Sequence, residues 1–81
     1  MNELTVTCAK GSHASANLAL RRQVEAALKA KGFDVDGGGS GADFFDVFFE
    51  SKCEPAETFI NVRTVMNDLK IARSKYKLNI D

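Results

Sequence analysis

The chain has little of what the commoner kinds of protein chemistry require. Its two cysteines, Cys8 and Cys53, make neither a disulfide framework nor a close-spaced ligand pattern, so they read as reduced, largely buried thiols with no metal between them. The only histidine, His13, has no acid beside it in "AKGSHAS", and no enzyme activity is expected of a chain without a local catalytic pair. Every apolar stretch is broken by charges. That pattern predicts neither a membrane span nor an export signal, and the expected setting is cytoplasmic, without membrane partners. An excess of positive charge is missing as well: the formal net charge is zero, whereas nucleic-acid binders are usually basic.

What is present is a soluble, globular composition, 44% apolar and 27% charged. Eighty-one residues make one domain spanning 1–81, in which only about 60% of the unfolded surface can be buried. The charges are sorted along the chain. Residues 10–31 carry Lys10, Arg21, Arg22, Lys29 and Lys31 against Glu25, a net of +4. Residues 34–57 carry Asp34, Asp36, Asp43, Asp46, Glu50, Glu54 and Glu57 against Lys52, a net of −6. Residues 58–81 return to +3, with Arg63, Lys70, Arg73, Lys75 and Lys77 against Asp68 and Asp81. Such segregation steers self-association or a charged protein partner.

Hydrophobic periodicity reads as strand, helix, strand, strand, helix, strand. "LTVTC" over 4–8 alternates, with Leu4, Val6 and Cys8 on one face and Thr5 and Thr7 on the other. A helix then opens with Ser12 or Ser15 as N-cap and runs to about residue 31, its apolar stripe being Ala16, Leu20, Val24, Ala27 and Leu28. Gly32 terminates it in a left-handed conformation. "FDVD" is a short strand, and "GGGSGA" the turn after it, too loose for a two-residue hairpin. In "DFFDVFFE", Phe45, Val47 and Phe49 share one face, and Phe44, Asp46 and Phe48 the other. Ser51 with Glu54 suits a capping box and Pro55 a first helical turn. The second helix has the stripe Phe59, Val62, Val65, Met66, Leu69 and Ala72, with Ile60 and Ile71 outside it. "YKLNI" is the last strand.

Two βαβ units with right-handed crossovers, joined by the glycine hairpin, predict an α+β, ferredoxin-like two-layer sandwich (βαββαβ). It has a four-stranded antiparallel sheet in the order 4-1-3-2 and two helices on one face. The opening "TCAKGSHASANLALRRQVEAAL" resembles small heavy-metal-binding ferredoxin-like domains, which place a second cysteine three residues after the first. Gly11 stands there, so the ligand pair is absent and no metal or cofactor is expected.

Three surfaces are candidates for function. The sheet face left bare by the helices carries Phe44 and Phe48 with Asp34, Asp36 and Asp46, a protein-interaction or self-associating surface in which a homodimer is the simplest partner. Fully burying two phenylalanines contributes on the order of 3–6 kcal/mol before association costs. The first strand–helix loop, Lys10, Gly11, Ser12 and His13, has the order that suits an anion at a helix start, and an enzyme version would use His13 as acid or base. Arg21, Arg22 and Lys29 form a basic helix surface, the alternative for a nucleic-acid-binding module. The "GGGSGA" glycines lead into a strand and lack a following Lys-Ser or Lys-Thr, which reads as a hairpin connection rather than a phosphate cradle.

Overall fold

The computed structural model describes residues 1–9, 11, 13–41 and 43–80. Strand β1 (Asn2–Thr7) is followed by helix α1 (Ala14–Ala30), strands β2 (Asp34–Ser40) and β3 (Phe44–Glu50), helix α2 (Pro55–Asp68), a 3-10 turn (Arg73–Lys75) and strand β4 (Tyr76–Asn79). The sheet order is β2-β3-β1-β4, with antiparallel pairing throughout. This is the ferredoxin-like sandwich that the periodicity predicts.

The period-two pattern of the two central strands builds one layer of the core. Leu4 and Val6 of β1 face the helices beside Phe45, Val47 and Phe49 of β3, all essentially inaccessible to solvent. The helical layer supplies Val24 and Leu28 from α1 and Val62, Val65 and Met66 from α2. Phe33 packs its ring on Phe49 at a centroid distance of 5.1 Å, within the range of favourable tilted aromatic pairs. Of the stripe read for α1, Leu20 and Ala27 border the core and Ala16 is exposed. Ile60 stays outside, 61% exposed.

The second hairpin differs from its sequence reading. The first three glycines of "GGGSGA" do not make the turn: residues 37–40 extend β2 along β3, with Gly37 opposite Phe48, Gly38 opposite Val47 and Gly39 opposite Asp46. A register shift between Val35 and Gly37 inserts Asp36 as the extra residue, and Gly37 accommodates it at φ 124, a bulge geometry that favours glycine. The reversal comes later, where Gly41 N–H donates to the Phe44 carbonyl at 2.8 Å. A strand can be this glycine-rich because its backbone lies close to β3. A Cβ on Gly38 would run into the Asp46 carbonyl oxygen and stand 3.3 Å from the Val47 Cα.

The helix termini differ from expectation in their caps. His13 is the N-cap of α1, with no side-chain hydrogen bond, and Ser15 lies inside the helix; Ser12 lies outside the described residues. At α2 the N-cap is Glu54, again without a side-chain bond, so Ser51 and Glu54 form no capping box. The Ser51 hydroxyl instead bonds the buried Thr58 hydroxyl at 2.7 Å and accepts the Cys53 N–H at 3.1 Å. That local network satisfies Thr58, which would otherwise be a buried polar liability.

After Asp68 the chain turns sharply, and this reverses the expectation for two residues. Lys70 takes a left-handed conformation, φ 59, with its N–H on the Asn67 carbonyl and the Ile71 N–H on the Met66 carbonyl. That is the paired 5→2 and 6→1 bonding of a Schellman turn. The turn folds Ile71 back onto the core, although helical spacing places it outside, and leaves Ala72 exposed beyond the helix.

Candidate functional site

The face of the sheet away from the helices is assembled from alternate residues of all four strands. Strand pairing sets Asn79, Glu3, Phe48 and Gly37 in one row and Lys77, Thr5, Asp46 and Gly39 in the next. Thr7 and Phe44 form the third row, with Gly41 beyond them across the hairpin. The result is a shallow step. The β3 side chains stand beside a line of glycines that has no side chains to match them.

Phe44 is 44% exposed and Phe48 half-buried. Phe44 packs on the hairpin: a Cβ on Gly41 would fall 2.6 Å from its ring, so the ring lies against that glycine. The monomer thus covers part of these phenylalanines. The gain from burying what remains falls well below the figure for two fully exposed rings, to roughly half.

Between the rings sits Asp46, whose Oδ1 accepts a hydrogen bond from the Thr5 hydroxyl at 2.6 Å, a short, charge-assisted contact. Glu3, Asp34 and Glu50 share the face, Asp36 projects at the bulge, and Lys77 is the opposing cation. The N-terminal amine lies 3.5 Å from Glu50. Register therefore gathers Phe44, Phe48, Asp34 and Asp46 onto one acidic, partly apolar surface, as the alternation predicts, whereas Asp36 is the exposed bulge residue with no partner in the register.

The basic residues belong to the other layer. Arg22 and Lys29 are exposed on α1, but Arg21 is partly buried and engaged. Its Nη1 donates to the Ser40 hydroxyl at 3.1 Å, and its Nε lies 3.8 Å from Glu25. Of the expected basic trio, Arg22 and Lys29 stand exposed, while Arg21 ties α1 to the edge strand β2.

Comparison with family models, with curated proteins and with solved structures returns no match. The surfaces must be read on their own chemistry.

At the first strand–helix loop, Gly11 has φ 78 and His13 is exposed at the helix entrance. Lys10 and Ser12 lie outside the described residues. A cavity of about 460 Å³ opens beside this loop, between the end of β1, the first turns of α1 and the turn after α2. Val6, Cys8, Leu20 and Ile71 line it together with Lys70 and Lys75; among the described residues, neither His13 nor any carboxylate does. Cys8 is buried, and burial together with the nearby negative charge of Asp43 pushes its thiol pKa up. Its backbone N–H donates to the Asp43 carbonyl at 2.7 Å.

Cys53 lies beyond the far end of β3, whereas Cys8 lies next to its start. A seven-residue strand separates the two thiols, roughly 20 Å. Among the described residues, no three His, Cys, Asp or Glu side chains gather into a metal-holding group. No helix among them is long and apolar enough to cross a membrane.

Sequence reasoning missed the cavity. Its walls come from three separated segments, and the one local signal was a lysine where a helix-terminating glycine would be expected.

Proposed function

We propose that this domain is a non-enzymatic protein-interaction module that self-associates through its open sheet face, the Phe44/Phe48 surface of one copy docking on the helical layer of the next. The observation that carries the reading is the exposed Phe44 beside Phe48 and Asp46, an apolar step in an acidic face. The helical layer offers the complementary chemistry. Exposed Leu18 stands one turn from Arg22 on α1, and exposed Ile60 lies three residues from Arg63 on α2. A face-to-face pair would instead set Asp46 and Glu3 against their own copies, and like charges across an interface oppose docking. Sheet-to-helix docking is heterologous, so it extends beyond a closed dimer unless its rotation closes a ring. A reducing, cytoplasmic setting suits the two free thiols.

Sedimentation velocity over a concentration series tests this reading. The wild type is expected to show species larger than a monomer that dissociate as salt rises. The Phe44→Asp, Phe48→Asp double variant should run as a monomer while keeping its far-UV circular dichroism. A wild type that stays monomeric at every concentration overturns the proposal, as does association unchanged in the double variant.

A further inference from the structure

The cavity at the end of the sandwich is a second site, distinct from the Phe44/Phe48 sheet face. Its walls are apolar where Val6, Leu20 and Ile71 meet, and among the described residues its charged lining is Lys70 and Lys75. At about 460 Å³ it falls within the size range of small-molecule sites. The position of Lys70 is independently informative. Its φ of 59 puts a long side chain in a left-handed conformation, where glycine avoids a penalty of about 1–2 kcal/mol. The equivalent turn after α1 has glycine there, Gly32 at φ 93. A cation near the C-terminus of α2 recovers part of that penalty through the helix dipole. Lys75, which belongs to the 3-10 turn, brings a second positive charge to the same cavity with no such role.

The geometry points to a binding site for a small organic monocarboxylate with an apolar tail, the tail lying against Val6, Leu20 and Ile71 and the carboxylate held by Lys70 and Lys75. A polyanion such as a nucleotide matches less well, because two lysines and a mainly apolar wall supply few donors for several phosphate oxygens. A neutral apolar molecule would fill the same walls and leave both lysines unused.

Decanoate is the probe, with decanol as its uncharged counterpart. Cys8 lines the cavity, so its alkylation rate in a Cys53→Ala chain reports occupancy directly, and the thermal midpoint gives a second readout. Decanoate below its micellar concentration should slow alkylation saturably and raise the midpoint, with decanol binding weakly. Lys70→Gly and Lys75→Gln should each weaken decanoate binding by roughly fivefold to tenfold, the loss of one charge-assisted contact. Both substitutions suit the backbone, so binding can be compared between folded chains. Ala16→Phe, at an exposed position in the lining, should block the site with both lysines intact. Equal protection by decanol and decanoate, wild-type affinity in both lysine variants, or no protection by decanoate would each overturn the assignment.

Discussion

The two βαβ halves close their helices with the same backbone geometry and different residues. After α1, Gly32 donates to the Lys29 carbonyl and Phe33 to the Leu28 carbonyl. After α2, Lys70 donates to Asn67 and Ile71 to Met66. In both, the apolar residue beyond the turn is folded back against the core, the hydrophobic contact that accompanies this motif. The halves differ in the strand beyond the turn. The first continues into a seven-residue edge strand containing three glycines and a bulge, the second into a four-residue strand begun by a buried tyrosine. Glycine in the first half serves backbone proximity and left-handed turns; the second half meets similar demands with side chains retained.

The strongest way to break the comparison is at Gly38, where the first half depends on having no side chain. Its Cβ position overlaps the Asp46 carbonyl oxygen, and the Asp46 carbonyl carbon is 3.0 Å away. These are backbone atoms of a central strand, so they cannot swing aside as a side-chain tip would. Gly38→Ala is expected to destabilise the fold by about 3 kcal/mol, at the upper end of ordinary overpacking. A urea titration measures it. Gly39→Ala, whose added Cβ meets nothing within 4 Å, serves as the control and should change stability by less than about 1 kcal/mol.

Substituting the two turn residues gives smaller effects of opposite sign. Gly32→Ala places a Cβ in a left-handed conformation with open space around it, so the expected loss is backbone strain alone, about 1 kcal/mol. Lys70→Gly removes that strain but gives up a charge at the helix end and adds unfolded-state entropy. A net gain of up to about 0.5 kcal/mol is expected. Midpoints compared in the same buffer decide both, and a stability loss in Lys70→Gly would mean that the lysine side chain contributes more to the fold than its backbone strain removes.

These same positions show how far the sequence could be read. Alternation in β1 and β3 was legible because one face of each strand is buried against helices, and a one-residue slip would expose every core side chain. The open face followed from the same alternation, which is why Phe44, Asp46 and Phe48 are found where they were expected. The glycine run misled because a bulged edge strand and a loose turn have the same composition, and only proximity to Asp46 separates them. Ile71 misled because helical spacing was extended past a turn that lacks the usual glycine. The cavity depends on where Lys70 and Ile71 point after that turn, so it could not be legible while the turn was not.

The last expected effect concerns the tyrosine that opens β4. Tyr76 is 6% exposed, and its hydroxyl has no hydrogen-bond partner among the described residues. Its ring does have a partner: the Arg73 guanidinium lies 5.0 Å from the Tyr76 centroid and 5.3 Å from that of Phe59, with Nη1 donating to the Tyr76 carbonyl at 3.1 Å. The ring and the hydroxyl therefore act in opposite directions. Arg73 gains from the aromatic face, while the buried hydroxyl has given up its bonds to water without replacement. Phenylalanine keeps the first and discards the second. Tyr76→Phe is expected to leave stability unchanged or raise it by up to about 1 kcal/mol, which for a domain of this size is a midpoint rise of no more than about 8 °C. Aromatic core positions of the first half, such as Phe33, already lack a hydroxyl, and the variant would make the second half resemble it. A loss of more than about 1 kcal/mol in the same thermal scan would show instead that the hydroxyl is satisfied by a water held inside the fold.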